Sequence, residues 1–256
     1  MKRISWLKFL GCLAISLLAA YGQCAEPPAL AEADALLKCP TLEMPRAEKA
    51  LSLYEGLLTS REVNRTALLA KLGRTGYLLG DLAPKKQSDS YYRKGQLYAE
   101  TLIQEEPNRT EGHYWLALNL CGRADAGGYM VGRRLLPRIL EALERAVLLD
   151  ETYDQAGAHR VLGRIYYEAP AWPMSVGDIN KSLTHLEAAV RLAPDNSTNH
   201  LFLAQTLYRL RFHSLAQREL ERVLKCTQHA VKPQDLEEDR QEARRLLAEL
   251  GQSGSP

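Results

Sequence analysis

Apolar residues recur along most of this chain at the three-and-four spacing of a helix buried on one face. The spacing is plainest between residues 154 and 226, where four stripes follow one another. His159, Leu162, Gly163 and Tyr166 make the first, and Leu186 and Ala189, closed by Pro194, make the second. His200, Leu203, Ala204 and Leu207 make the third, and Ala216, Leu220 and Val223 the fourth. The small residues at Gly163 and Ala204 predict helices pressed closely in pairs, with the larger apolar residues filling each seam. A single pair of this kind has one apolar face too many to stand in water, so the pattern predicts stacked pairs.

These stripes follow the spacing of the tetratricopeptide repeat and resemble it in both the close-packing position and the terminal proline. The fold class read from them is all-α: a tetratricopeptide-like (TPR-like) solenoid of helical hairpins with long loops inside the repeats and a C-terminal capping helix. The close-packing position of the first helix falls at Gly73, Ala117, Gly163 and Ala204, and the seam position of the second at Ala99, Leu143, Leu186 and Leu220. Within the repeats these are 26, 26, 23 and 16 residues apart, and between repeats 18, 20 and 18. The simple pattern needs about 16 and about 18. The extra residues therefore sit at the turns inside the first three repeats, which all emerge on the same edge of a solenoid. The expectation is three loops on one binding edge, at residues 80–90, 122–134 and 169–178.

Around this array, residues 26–60 read as two N-terminal helices forming a degenerate hairpin. One is broken by Cys39-Pro40, and the other is opened by Pro45 and carries Ala47, Ala50, Leu51 and Tyr54 on one face. Residues 61–232 hold the four repeats. Residues 233–250 alternate Leu236, Ala243, Leu246, Leu247 and Leu250 with charges, as a solvated capping helix does, and residues 251–256 are expected to fray. The charged run Glu237-Glu238-Asp239-Arg240 reads as part of a solvated face.

The first 25 residues change the picture of charge. Lys2, Arg3 and Lys8 precede an apolar run from Phe9 to Ala20 and a small-residue exit, the plan of a secretory signal. Its removal takes three cations from 33 and leaves 30 Lys and Arg against 31 Asp and Glu. A mature chain near neutrality lacks the basic excess typical of nucleic-acid binding, and no stable membrane span is expected after cleavage. The expected location is the periplasm or outside the cell. Gln23 before Cys24 spoils a lipidation signal. Cys39, Cys121 and Cys226 remain, and spacing does not choose a pair among them.

No catalytic constellation or cofactor motif stands out, so the expectation is a non-enzymatic protein with no cofactor and no metal. Histidine fills one slot in three repeats, at His113, His159 and His200. Repeats stand about 8–10 Å apart, too far to share one ion, so these read as packed side chains. The ligand- or partner-binding residues expected on the loop edge are Tyr129, Met130, Arg133 and Arg134 in the glycine-rich second insertion, and Trp172 and Met174 in the proline-stiffened third, with Tyr166 and Tyr167 beside them. Asp178 is placed to cap the helix that follows. The third insertion either opens a ligand site or folds back as a plug.

The run Ala158-His159-Arg160-Val161-Leu162-Gly163-Arg164-Ile165-Tyr166, with Ala169-Pro170-Ala171-Trp172-Pro173 and Val176-Gly177-Asp178 after it, resembles the exported T-component helpers of TRAP transporters. The likeness spans residues 95–224. It implies an exported solenoid that docks a periplasmic substrate-binding protein and offers a groove to a small, apolar or organic-acid ligand. Beside it stands the broader expectation of a scaffold for protein partners.

Overall fold

The computed structural model describes residues 27–253 apart from residues 40, 229–231 and 233. The expected signal segment lies outside the described residues. The helices are α1 (Pro28–Leu37), α2 (Met44–Gly56), α3 (Arg65–Leu82), α4 (Lys85–Glu105), α5 (Thr110–Leu149), α6 (Tyr153–Glu168), α7 (Ile179–Leu192), α8 (Ser197–Arg209), α9 (His213–Val223) and α10 (Asp235–Ser253). The last of these carries three residues of the expected tail as helix.

Helix α5 is itself a hairpin. Gly128 leaves the helical region, at φ 71° and ψ −170°, and splits α5 into a first arm, residues 110–127, and a second, residues 129–149. That conformation is open almost only to glycine. Thr110 Oγ1 donates to Ala146 O at 3.1 Å at one end of the pair, and Ala124 faces Gly132 at the other. The described helices thus pair as α1–α2, α3–α4, the two arms of α5, α6–α7 and α8–α9, and α10 packs on α8 and α9.

The seams are those the stripes predict. A Cβ at Gly163 would stand 2.5 Å from Leu186 Cγ, so only glycine lets α6 lie this close to α7. Leu186 and Ala189 are fully buried there. The largest cluster centres on the α5 hairpin, with Trp115, Ala117, Leu120, Ile139 and Leu143, and extends to Leu162 and Tyr166 of α6. Helix starts are satisfied by Asn64, Asp178 and Asn196, whose side chains accept from backbone N–H groups of the first turn.

Two expectations are corrected. The first and second insertions are not loops: residues 80–90 and 122–134 extend α3, α4 and both arms of α5, leaving only Ala83-Pro84 and Gly128 as breaks. About ten extra residues shared by two helices lengthen each by about 7 Å. Ser88 and Ser90 accordingly lie inside α4, donating to Lys85 O and Gln87 O. Second, Asp239 belongs to no solvated face. It is 8% exposed and accepts from Ser197 Oγ at 2.6 Å and Thr198 Oγ1 at 2.7 Å.

The turns between repeats show why one of them is two residues longer. His113 Nε2 lies 2.8 Å from Pro107 O, and His200 Nε2 lies 2.8 Å from Pro194 O, six residues back in both repeats. The turn before His159 has no such proline. There Asp154, Gln155 and Ala156 take left-handed backbone angles, with φ of 50°, 57° and 60°. The buried Arg160 guanidinium donates to Asp154 O and Gln155 O and holds this unfavourable stretch together.

Candidate functional site

Helices α3, α5, α6, α8 and α10 line an open cavity of about 830 Å³. Tyr77 and Asp81 of α3 line it, followed by Tyr114, Leu118, Cys121, Ala124 and Asp125 along the first arm of α5. Leu136 and Ile139 of the second arm, Val161 and Ile165 of α6, and Phe202 of α8 complete an apolar wall. From Tyr114 to the Gly128 turn the arm runs about 20 Å, so the space is long in one direction.

Helix α10 and Lys232 form another side. Lys232 Nζ reaches Asp81 Oδ2 at 2.5 Å and Asp235 Oδ1 at 3.7 Å, joining the C-terminal region to α3. Leu42 N donates to Gln234 Oε1 at 3.5 Å beside it. Asp235, Glu238 and Asp239 line the cavity from α10.

Polar groups gather at one part of this lining. The Tyr114 hydroxyl donates to Asp154 Oδ2 at 2.5 Å, and Arg160 Nη2 donates to the same oxygen at 3.1 Å. Arg160 Nη1 also reaches Asn199 Oδ1 at 3.2 Å. Burial works to discharge Arg160, but Tyr114 and Asp154 more than offset it and raise its pKa above the ordinary value. Burial, the largest influence on Asp239, raises its carboxyl pKa despite the hydrogen bonds from Ser197 and Thr198. Burial raises Tyr77 and Tyr114 well above the usual phenol range, and pushes the Cys121 thiol up to about 12. All three are neutral, unreactive wall groups. Cys39, Cys121 and Cys226 are free thiols.

The residues expected on the binding edge divide. Tyr129, Arg133 and Met174 line the cavity where it opens between the α5 turn and the α6–α7 loop. Met130 and Trp172 stand outward at 71% and 85% exposure, and Arg134 is exposed beside them. Tyr166 is instead buried, stacked on His185 with ring centroids 5.6 Å apart. Tyr167 is held between Arg164 and Arg209, whose guanidinium carbons lie 5.2 and 4.1 Å from its ring centre. Asp178 caps α7 as expected, accepting from Asn180 N at 2.9 Å and Lys181 N at 3.1 Å.

Sequence reasoning passed over Arg160, Lys232 and Asp239. The one available signal was the unusual length of the turn before His159, which marks where Arg160 is needed. His159 Nδ1 faces His185 Nδ1 at 2.9 Å, and His200 Nδ1 faces Glu219 Oε2 at 2.6 Å. Among the described residues, no three His, Cys, Asp or Glu side chains converge as a metal site would require, and no helix is long and apolar enough to cross a membrane.

No curated protein matches this chain. Among solved structures it is similar to TTC0263, a thermophilic TPR protein of Thermus thermophilus, at a TM-score of 0.60 and 19% identity over 87% of this chain and 96% of that one. It is also similar to MamA, at a TM-score of 0.46 and 15% identity over 78% of this chain and 92% of that one. The likeness to TTC0263, with the paired helices above, shows a TPR-like solenoid and gives no support to the transport-helper resemblance. The family that matches spans residues 29–251, nearly all of the described chain, and this protein belongs to it: RMD1-3, Regulator of microtubule dynamics protein 1-3.

Proposed function

We propose that this chain is a non-enzymatic binding protein whose cavity holds an elongated small molecule with an apolar body and a polar end. The observation that carries this reading is the cavity of about 830 Å³, walled by Leu118, Leu136, Ile139, Val161, Ile165 and Phe202, with Tyr114, Arg160, Thr198 and Asp239 grouped in the same lining. Ligand sites of small molecules run to about 300–1,000 Å³ and combine mostly apolar walls with a few placed polar groups. The basic start and short apolar run of residues 2–20 favour export of this binding protein, and N-terminal sequencing of the mature chain tests that part.

The test is a titration with 1-N-phenylnaphthylamine, an uncharged apolar fluorophore. Saturable enhancement is expected, and Leu136→Trp, which fills the cavity from a half-buried wall position, should abolish it without lowering the melting temperature. A wild-type chain that gives no saturable enhancement would count against the cavity as a ligand site. A second reading is a scaffold for a protein partner, such as a periplasmic substrate-binding protein. The outward side chains of Met130 and Trp172 favour it.

A further inference from the structure

Four large apolar side chains stand out on two successive hairpin ends: Tyr129 at 65% and Met130 at 71% exposure on the α5 turn, Trp172 at 85% and Met174 at 71% on the α6–α7 loop. Leu97, Leu148 and Phe212 are also exposed, but line no part of the cavity. Tyr129 and Met174, though exposed, also line the cavity, so these two ends stand at its rim.

The charges around this rim are uneven. Arg133 and Arg134 are exposed on the second arm of α5 and have no acidic partner among the described residues, nor do Lys85 and Lys86 at the neighbouring α3–α4 end. Most nearby carboxylates are already engaged: Glu168 by Arg164, Asp178 by the first turn of α7, Asp89 by Arg93 and Arg123, and Asp81 by Lys232. Asp125 faces the cavity lining from the opposite arm. The rim therefore sets four cations, Arg133, Arg134, Lys85 and Lys86, against the exposed carboxylate of Asp125, beside tryptophan, tyrosine and methionine.

We propose that this edge docks on an anionic lipid surface, with Met130 and Trp172 entering the headgroup boundary and Arg134 lying against lipid phosphates. Aromatic side chains settle at that boundary because one end is apolar and the other wet, and basic residues near it gain from the negative surface potential. The proposal rests on the cavity reading in one respect: with the mouth against lipid, an apolar ligand enters without crossing water.

The experiment uses the full chain with vesicles of phosphatidylcholine alone or mixed with phosphatidylglycerol. Trp172 is read as the difference between the emission of the wild type and of Trp172→Phe, which removes the contributions of Trp6 and the buried Trp115. Phosphatidylglycerol vesicles should shift the Trp172 emission to the blue, brominated acyl chains should quench it, and added salt should reverse both. The double variant Met130→Asp/Arg134→Gln, at positions outside the cavity lining, should bind these vesicles about tenfold or more weakly while melting and taking up 1-N-phenylnaphthylamine as the wild type does. Vesicle binding with unchanged Trp172 emission, as an apolar N-terminal segment alone would give, overturns the proposal. So does a rim that ignores vesicles but buries Trp172 against a second copy or a protein partner. Loss of fluorophore uptake in the wild type, with the Trp172 shift intact, would overturn the cavity reading and leave the docking edge standing.

Discussion

The α5 turn and the α6–α7 loop occupy equivalent places in successive hairpins and carry similar numbers of extra residues, yet one is helix to its tip and the other is almost free of helix. In α5 the added residues keep the helical period: Leu135, Leu136 and Ile139 continue the stripe of Leu143 and Ala146. A single glycine, Gly128, makes the reversal. Even Pro137 is carried inside the second arm, where burial of Ile139 and Leu143 offsets a lost backbone bond. The α6–α7 segment has Pro170 and Pro173 only three residues apart, which removes two donors and forces the residues before them out of the helical region. Ala169 is extended, and the loop returns through a bridge between Ala171 and Gly177. Length inserted into a repeat therefore does not decide its form. The density of prolines does.

The largest effect expected from testing this contrast is at Gly177. A Cβ there would stand 2.0 Å from Ala169 O, a backbone atom held in place by the bond from Gly177 N to Pro170 O. Gly177→Ala should cost about 3 kcal/mol, read as a lower urea midpoint. Gly128→Ala comes next, at about 2 kcal/mol, because nothing crowds the position and only its backbone angles object. If Gly177→Ala proved the milder of the two, the loop would be more yielding than its contacts imply. Asp178→Ala, which strips the cap from α7, should cost about 1 kcal/mol, with Asp178→Asn recovering most of it.

The α6–α7 hairpin also differs from α5 in how it should answer to acid. Burial, then His159 and Lys181, push His185 down to about 4, from an ordinary value near 6.5. Burial also lowers His159, against the opposing pull of Glu151. An unfolded chain takes up these protons first, so the stability present above pH 6.5 should fall as the pH drops toward 4. His185→Phe, which keeps a ring against Tyr166, should flatten the melting temperature over that window. An equally steep profile in the variant would remove His185 from the explanation.

Much of this architecture was legible because helix packing repeats. Glycine or alanine opposite a large residue at Gly163 and Ala204 fixed the seams, Pro194 marked a turn between repeats, and counting from seam to seam located the extra residues. What that counting could not see was conformation. Four glycines between residues 122 and 134 suggest a loop, but glycine inside a helix costs only about 1 kcal/mol, less than the buried stripe beside it returns. The cavity was harder still, since its lining brings Lys232 to Asp81 across 151 residues. No local spacing encodes that. Asp239 was hidden for the same reason: its hydroxyl partners lie at the start of α8, and the two residues before it, Glu237 and Glu238, are exposed charges.

The smallest expected effect on stability is at Trp172, and its smallness is the sharpest form of the contrast. Trp115, on the first arm of α5, is 2% exposed and donates its indole N–H to the Tyr153 hydroxyl at 2.9 Å. Its loss would open the central core. Trp172 is 85% exposed, and folding buries little of its ring. Trp172→Ala should therefore change unfolding free energy by less than about 0.5 kcal/mol. A tryptophan kept out of the core contributes its apolar area only when something else covers it. Should Trp172→Ala lower the urea midpoint as far as Asp178→Ala does, the loop must close over its own tryptophan in solution. The α6–α7 end would then be a plug at the cavity mouth, and the docking edge would reduce to the α5 turn alone.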